Sequence, residues 1–166
     1  MPELPEVEIV RRGLERALKN KVIERIDIRR PDIRTPITPG FAAALKGRKV
    51  KEVNRRGKYI LVRMEGDKGF GLHLGMSGRI RVMPPGEIYD PDKHDHIIFG
   101  IKGGATVAFN DPRRFGMAFL TKNAEWDQEV PFKGMGPEPL EPGFNGKTLA
   151  VALKGKKGPI KTVLLD

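Results

Sequence analysis

Residues 22–121 fall into eight short runs rich in β-forming side chains, and this division constrains the fold more than any other feature. The runs cover residues 22–30, 49–55, 59–64, 70–74, 79–83, 97–101, 106–110 and 117–121, with glycine, proline and polar residues between them. Several alternate apolar and polar side chains, as Ile26 with Ile28 and Ile80 with Val82 do. Alternation with a period of two turns one face of a strand inward. Eight such runs separated by turn residues predict an antiparallel sandwich or barrel.

Residues 3–19 predict a helix packed against those strands. Val7, Val10, Leu14 and Leu18 recur at steps of three and four and form one apolar stripe. Pro5 is tolerated in a first helical turn, and Glu3, Glu6 and Glu8 lie where the helix dipole favours negative charge. Beyond the strands the composition changes. Residues 131–144 contain Pro131, Pro137, Pro139 and Pro142 with Gly134, Gly136 and Gly143, the pattern of an ordered linker. Residues 147–153 have a helical pattern, residues 154–157 form a basic turn, and residues 160–165 begin a second apolar helix. That last face has no partner in the sequence, so the chain is expected to be the truncated part of a longer protein. The expected organisation is a β-rich domain over 1–130, a linker over 131–144 and the opening helices of a second domain over 145–166.

The composition excludes several classes. With 166 residues, 39% hydrophobic and 31% charged, the chain is neither a disordered polyelectrolyte nor a membrane protein. No apolar run approaches the ~20 residues that span a bilayer, and the N-terminus lacks the order of a signal peptide. A soluble, cytoplasmic protein is expected. The absence of cysteine rules out disulfides, thiolate zinc sites and a cysteine nucleophile in this chain. The net charge is +10, and residues 1–60 alone carry 16 Lys and Arg against 8 Asp and Glu. Such a localised surplus is the footprint of a polyanion partner, although a basic surface serving solubility alone would have the same composition.

Four motifs and one histidine pair could carry chemistry. At the N-terminus, Pro2 and Pro5 serve equally as helix-start punctuation. If Met1 is removed, however, Pro2 becomes a secondary amine with a pKa of about 8, partly neutral and nucleophilic at physiological pH. Secondary amines condense with carbonyl-like carbons to iminium ions, and Glu3 is a natural acid/base partner. Arg55-Arg56-Gly57-Lys58-Tyr59 is a basic turn between two strands, either a solvated hairpin tip or a phosphate clamp with Lys58 aimed into a site. In His73-Leu74-Gly75-Met76-Ser77-Gly78 the glycines place Met76 on a tight exposed turn. Asp111-Pro112-Arg113-Arg114-Phe115-Gly116 is a turn presenting two arginines and an aromatic ring. Exposed Met76, Arg113 and Phe115 on separate loops of a basic domain suit a wedge that fills the gap left when a base leaves the stack. His94 and His96 in Lys93-His94-Asp95-His96 would point the same way along a strand, but only His73 remains as a third imidazole. A structural or phosphate-contacting pair fits them better than a metal site, and no metal is expected in this chain.

These motifs together resemble the N-terminal part of the bacterial formamidopyrimidine-DNA glycosylases, base-excision-repair enzymes also called oxoguanine DNA glycosylases. The resemblance covers all 166 residues and rests on six motifs in order, at residues 2–8, 55–59, 73–78, 93–96, 111–116 and Gly-Pro-Glu-Pro-Leu at 136–140. Met76, Arg113 and Phe115 match the branch acting on oxidised purines rather than the related endonuclease VIII branch.

The resemblance implies an eight-stranded antiparallel β-sandwich flanked by an N-terminal helix, mainly β with α, plus a short C-terminal helical tail. It implies a bifunctional DNA N-glycosylase and abasic-site lyase that removes oxoguanine and formamidopyrimidines from duplex DNA. Pro2 would attack C1′ of the sugar, Glu3 would manage protons at the sugar oxygen, and Lys58 would assist the β- and δ-eliminations. Met76, Arg113 and Phe115 would fill the vacated space, with Arg113 facing the orphaned cytosine, while His73, His94 and Lys156 would contact DNA. The family continues into a helix–two-turn–helix segment and a four-cysteine zinc finger, so zinc is expected only in that missing part and no cofactor in this chain. The expected partner is duplex DNA with an oxidised purine or an abasic site, not a membrane. The family implies a monomer, and the orphaned residues 160–165 leave a dimer or domain swap open. Without the second domain the chain is expected to bind duplex DNA weakly and to have little glycosylase activity alone.

Overall fold

A computed structural model of the protein describes residues 1–129 and 131–165. The chain divides into two compact units, residues 1–133 and 134–166.

The first unit is the expected β-sandwich. Helix α1 (Leu4–Leu18) precedes strand β1 (Ile23–Ile28), and a short helix α2 (Phe41–Leu45) follows. The remaining strands are β2 (Val50–Arg56), β3 (Tyr59–Met64), β4 (Lys68–His73), β5 (Arg79–Met83), β6 (Asp95–Ile101), β7 (Thr106–Asn110) and β8 (Met117–Thr121). They form two four-stranded sheets with orders β1-β6-β7-β5 and β2-β3-β4-β8, and every pairing is antiparallel. The sheets meet through aromatic side chains. Phe70 of β4 stacks on Phe99 of β6 at 5.3 Å, and Phe41 of α2 meets Phe70 edge-on at 5.7 Å.

The apolar stripe on α1 packs as its spacing requires. Val7, Leu14 and Leu18 are buried, and Val10 is partly buried against the same core. Each fully buried aliphatic side chain contributes roughly 1.5–3 kcal/mol. The helix lies on β2 and β5, an edge strand of each sheet. It is also tied down by charge, because Arg11 donates to the Val53 carbonyl at 2.9 Å and Arg55 donates to Glu8 at 3.3 Å. Glu8 accepts from Arg12 as well as from Arg11 and Arg55. The Arg11 hydrogen bond first, then those of Arg12 and Arg55 against the cost of burial, holds the Glu8 carboxyl down at about 2.

Element ends shift by a residue or two, as in β4, which starts at Lys68 rather than residue 70, and two departures have a clear physical cause. Helix α2 lies in a stretch with no helical period, since five residues make barely more than one turn and Gly40 opens it in the left-handed conformation at φ +81°. Strand β6 starts at Asp95 rather than residue 97, because Asp95 and His96 are buried despite their polarity. A β-bulge between Asp95 and Ile97 admits the extra residue, His96.

The second unit contains α3 (Gly146–Leu153) and α4 (Ile160–Leu165). The Asn145 side chain caps α3 by accepting from the Lys147 and Thr148 amides at 3.0 and 3.1 Å. Neither helix buries a residue, and Val151, Ile160, Leu164 and Leu165 are exposed. Lys156 lies between the two helices, its amide donating to the Leu153 carbonyl. No described helix is long and apolar enough to cross a membrane.

Candidate active site and nucleic-acid interface

The topology gathers the sequence motifs of the first unit at one end of the sandwich. Tyr59, His73 and Met117 are in register across β3, β4 and β8. Arg79, Asn110 and Asp95 are in register across β5, β7 and β6. Both crossovers between the sheets there, residues 74–78 and 111–116, therefore leave from the same end as the β2–β3 turn and the His94 loop.

The N-terminal cluster forms around the start of α1. Glu3 is the helix N-cap residue, and its amide donates to Glu6 Oε2 at 2.7 Å. Lys58 comes from the turn between β2 and β3, where Arg56 pairs with Tyr59 and only Gly57 and Lys58 lie between. Gly57 has φ +55°, the positive first position of a tight hairpin turn that glycine adopts without penalty. Arg55 donates to the Gly57 carbonyl at 2.9 Å and supports that turn. Lys58 Nζ then reaches Glu3 Oε2 at 2.8 Å. The hydrogen bond from Lys58, and next its charge, lowers the Glu3 carboxyl below the ordinary 4.5. Pro2, half-buried, precedes Glu3 directly.

His73 stands next in line. Its ring lies 4.6 Å from that of Tyr59, and its Nδ1 accepts from the Gly75 amide at 3.0 Å. Burial lowers the imidazole below its ordinary 6.5, and the Arg34 and Lys58 charges lower it further. A neutral ring accepting at Nδ1 carries its proton on Nε2. The side chain links the Lys58 turn to the Met76 loop.

Met76 and Phe115 are 44% and 42% exposed, a display of large apolar surface that a folding core does not explain. The Arg113 guanidinium lies 5.0 Å from the centre of the Phe115 ring. Arg114, beside them, takes the left-handed conformation at φ +58°, unusual for a side chain with a Cβ. The two loops touch. A Cβ at Gly75, itself at φ +62°, would collide with the Phe115 carbonyl.

His94 and His96 differ in role. His96 is buried, with Nε2 2.7 Å from the Asp111 carbonyl oxygen, so it is a satisfied structural histidine. His94 is partly exposed and precedes β6. Both rings line a cleft of about 340 Å³ with Arg30, Lys93, Pro112 and Arg114, whose cationic groups suit an anion. Asp32 pairs with Arg30 at 3.0 Å and with Arg114 at 3.6 Å at this surface. The His94 loop is anchored by the buried Asp95 carboxylate, which accepts from Arg81, Tyr89, the Asp92 amide and Asn110 at 2.6–2.9 Å. Burial, with Asp95 beside it, pushes the Tyr89 phenol up.

Sequence reading did not single out Arg30, Ser77, Asp111 or Arg114 as individual residues. Ser77, Asp111 and Arg114 lie inside those motifs, but Ser77 and Asp111 are 34 positions apart and nothing in the sequence marks them as neighbours. Among the described residues no three His, Asp or Glu side chains converge on a metal position. A four-cysteine zinc site has no donors here, since the chain contains no cysteine.

Comparison with known proteins places the chain in a family. The formamidopyrimidine-DNA glycosylase N-terminal domain family matches residues 1–118. A formamidopyrimidine-DNA glycosylase of Azorhizobium caulinodans is 46% identical, over 100% of this chain and 60% of its own length. That of Roseobacter denitrificans is 45% identical, over 100% of this chain and 61% of its own. The chain thus spans about 60% of these curated relatives. Among solved structures, the MutM (Fpg) protein of Thermus thermophilus aligns with a TM-score of 0.80 and 33% identity, covering 99% of this chain and 57% of that one. The Lactococcus lactis glycosylase bound non-covalently to DNA containing an abasic site aligns with a TM-score of 0.84 and 30% identity, covering 99% and 62%. The chain belongs to the formamidopyrimidine-DNA glycosylase N-terminal domain family.

Proposed function

We propose that this chain carries the nucleophile and the DNA-reading wedge of a glycosylase and abasic-site lyase acting on oxidised purines in duplex DNA. The observation that carries the proposal is the Lys58–Glu3 ion pair, 2.8 Å long, beside Pro2 at the start of α1. The relatives' name and the DNA complex of the Lactococcus protein support the substrate class.

After loss of Met1 the Pro2 nitrogen is a secondary amine. Its lone pair forms a bond to C1′ of the damaged nucleotide, and the C1′–N bond to the base breaks with its electron pair leaving on the base. Glu3, a carboxylate that Lys58 holds below its ordinary value, accepts the amine proton and delivers it to the sugar ring oxygen as the ring opens. The product is an iminium joining Pro2 to C1′. Glu3, again a carboxylate, takes a C2′ proton as the C3′–O bond breaks with its electron pair on the 3′ phosphate, and a second elimination, with water taking the proton, breaks the C5′–O bond and expels the 5′ phosphate. Lys58 serves these steps as a cation close to Glu3. Water hydrolyses the iminium and restores the amine.

Met76, Arg113 and Phe115 fill the space of the extruded nucleotide, and Arg113 donates to the orphaned base. His94 and Lys156 contact backbone phosphates, and the Arg30–Arg114 cleft adds a further phosphate position. The chain spans about 60% of its curated relatives, and we propose that these 166 residues by themselves bind duplex DNA weakly and turn over slowly. Excision of oxoguanine by this chain, measured against a full-length relative, tests that point, and equal rates would refute it.

A further inference from the structure

Asp111 is a titratable group that the chemistry above leaves unused. Its carboxylate is fully buried and enters no salt bridge with another described residue. Burying a carboxylate is costly unless its oxygens are saturated by donors. Its Oδ1 accepts from the Ser77 hydroxyl at 2.6 Å, and its Oδ2 accepts from the Gly116 amide at 2.7 Å. Ser77 Oγ in turn accepts from the Arg113 amide at 3.2 Å. The backbone of Asp111 is equally committed. Its amide donates to the His94 carbonyl at 3.0 Å, and its carbonyl accepts from His96 Nε2 at 2.7 Å and from the Arg114 amide at 3.3 Å.

Every segment that displays an exposed DNA-reading side chain on the two crossovers and the His94 loop is thereby joined at one residue. Ser77 follows Met76, Gly116 follows Phe115, the Arg113 amide bonds to Ser77, and His94 bonds through its own carbonyl. The strained Arg114 backbone and the tight seating of Gly75 on Phe115 show loops held in one arrangement rather than free tips.

We infer that Asp111 and Ser77 are positioning residues that lock the Met76 loop and the Arg113–Phe115 loop into a single rigid wedge, so that the three side chains enter DNA as one unit. The inference rests on the DNA-reading role proposed above for Met76, Arg113 and Phe115. A rigid wedge avoids ordering three exposed side chains at the moment of insertion, which is how preorganisation raises the yield of a strained bound state.

The test uses the full chain and a duplex holding a tetrahydrofuran abasic analogue with 2-aminopurine opposite it, whose fluorescence rises on unstacking. Ser77→Ala should lower the unstacking signal about tenfold at equal bound fraction, and Asp111→Asn should do at least as much. Ser77→Thr keeps the hydroxyl and should restore the signal, which a loss of mere bulk or stability would not allow. Adding Met76→Ala to Ser77→Ala should then cost much less than Met76→Ala costs alone, the signature of coupled residues. Faster amide exchange at Arg113 and Gly116 in Ser77→Ala, with the melting temperature within a few degrees of the parent, should accompany the loss.

Additive effects of the two substitutions, or a Ser77→Ala signal equal to the parent's, would overturn the inference while leaving the wedge intact. If Asp111→Asn fails to fold, the Ser77 series alone decides. A Met76→Ala chain that unstacks DNA as well as the parent would instead defeat the wedge reading itself.

Discussion

Lys58 Nζ and Glu3 Oε2 lie 2.8 Å apart, although 55 positions of sequence separate them. The contact joins the first turn of a helix to the tip of a hairpin and lowers the carboxyl beside Pro2 below its ordinary value. Lys58→Gln should let the Glu3 carboxyl rise back toward 4.5, because both leading causes of its lowering come from Lys58. A carbon-13 titration of Glu3 checks this, and an unchanged midpoint would remove Lys58 as the cause. The same variant should lose about tenfold or more in lyase rate on abasic DNA.

Glu8→Gln should weaken the charged tie between α1 and β2 without detaching the helix. The Glu8 carboxyl sits at about 2 in the fold against an ordinary 4.5. A lowered carboxylate stabilises the fold fully above pH 4.5, and that contribution disappears as pH falls from 4.5 to about 2. Discounted for solvent screening, the loss is about 1 kcal/mol. Acid unfolding curves should show a steeper decline for the parent than for Glu8→Gln across that window.

The His73 imidazole has the same sign for a different reason. Burial first, then Arg34 and Lys58, lowers it below 6.5, so its contribution is complete above that pH and is lost as pH falls through the lowered value. Protonation would also place a donor against the Gly75 amide. Melting temperatures between pH 7 and 5 should fall for the parent, and His73→Phe should flatten that slope. An identical slope in both would assign the titration to another group.

Gly75→Ala should destabilise the fold by about 1–3 kcal/mol. Its backbone is left-handed at φ +62°, and the new methyl would strike the Phe115 carbonyl. Denaturant unfolding measures the loss. A value near zero would mean that the Met76 and Phe115 loops are not tightly seated.

Much of the sandwich was legible because glycine, proline and polar residues fall at the strand ends, so that residues 59–64, 79–83, 106–110 and 117–121 form the strands their composition predicts. The start of β6 was hidden because Asp95 and His96 read as loop residues until their partners Arg81, Tyr89, Asn110 and the Asp111 carbonyl are seen. Helix α2 is too short to show a period. In the site, the motifs named Pro2, Glu3, Lys58, Met76, Arg113 and Phe115 as individual candidates. The bonds that organise them were not legible, since Ser77 and Asp111 are 34 positions apart and meet only after two crossovers fold onto one end of the sandwich.

Borohydride trapping on DNA containing an abasic site tests the central claim most directly. A chain that has lost Met1 should form a covalent adduct whose peptide map places the DNA on Pro2, with the yield reduced in Glu3→Gln and Lys58→Gln. An adduct that maps to a lysine, or no adduct from the Met1-free chain, would contradict it.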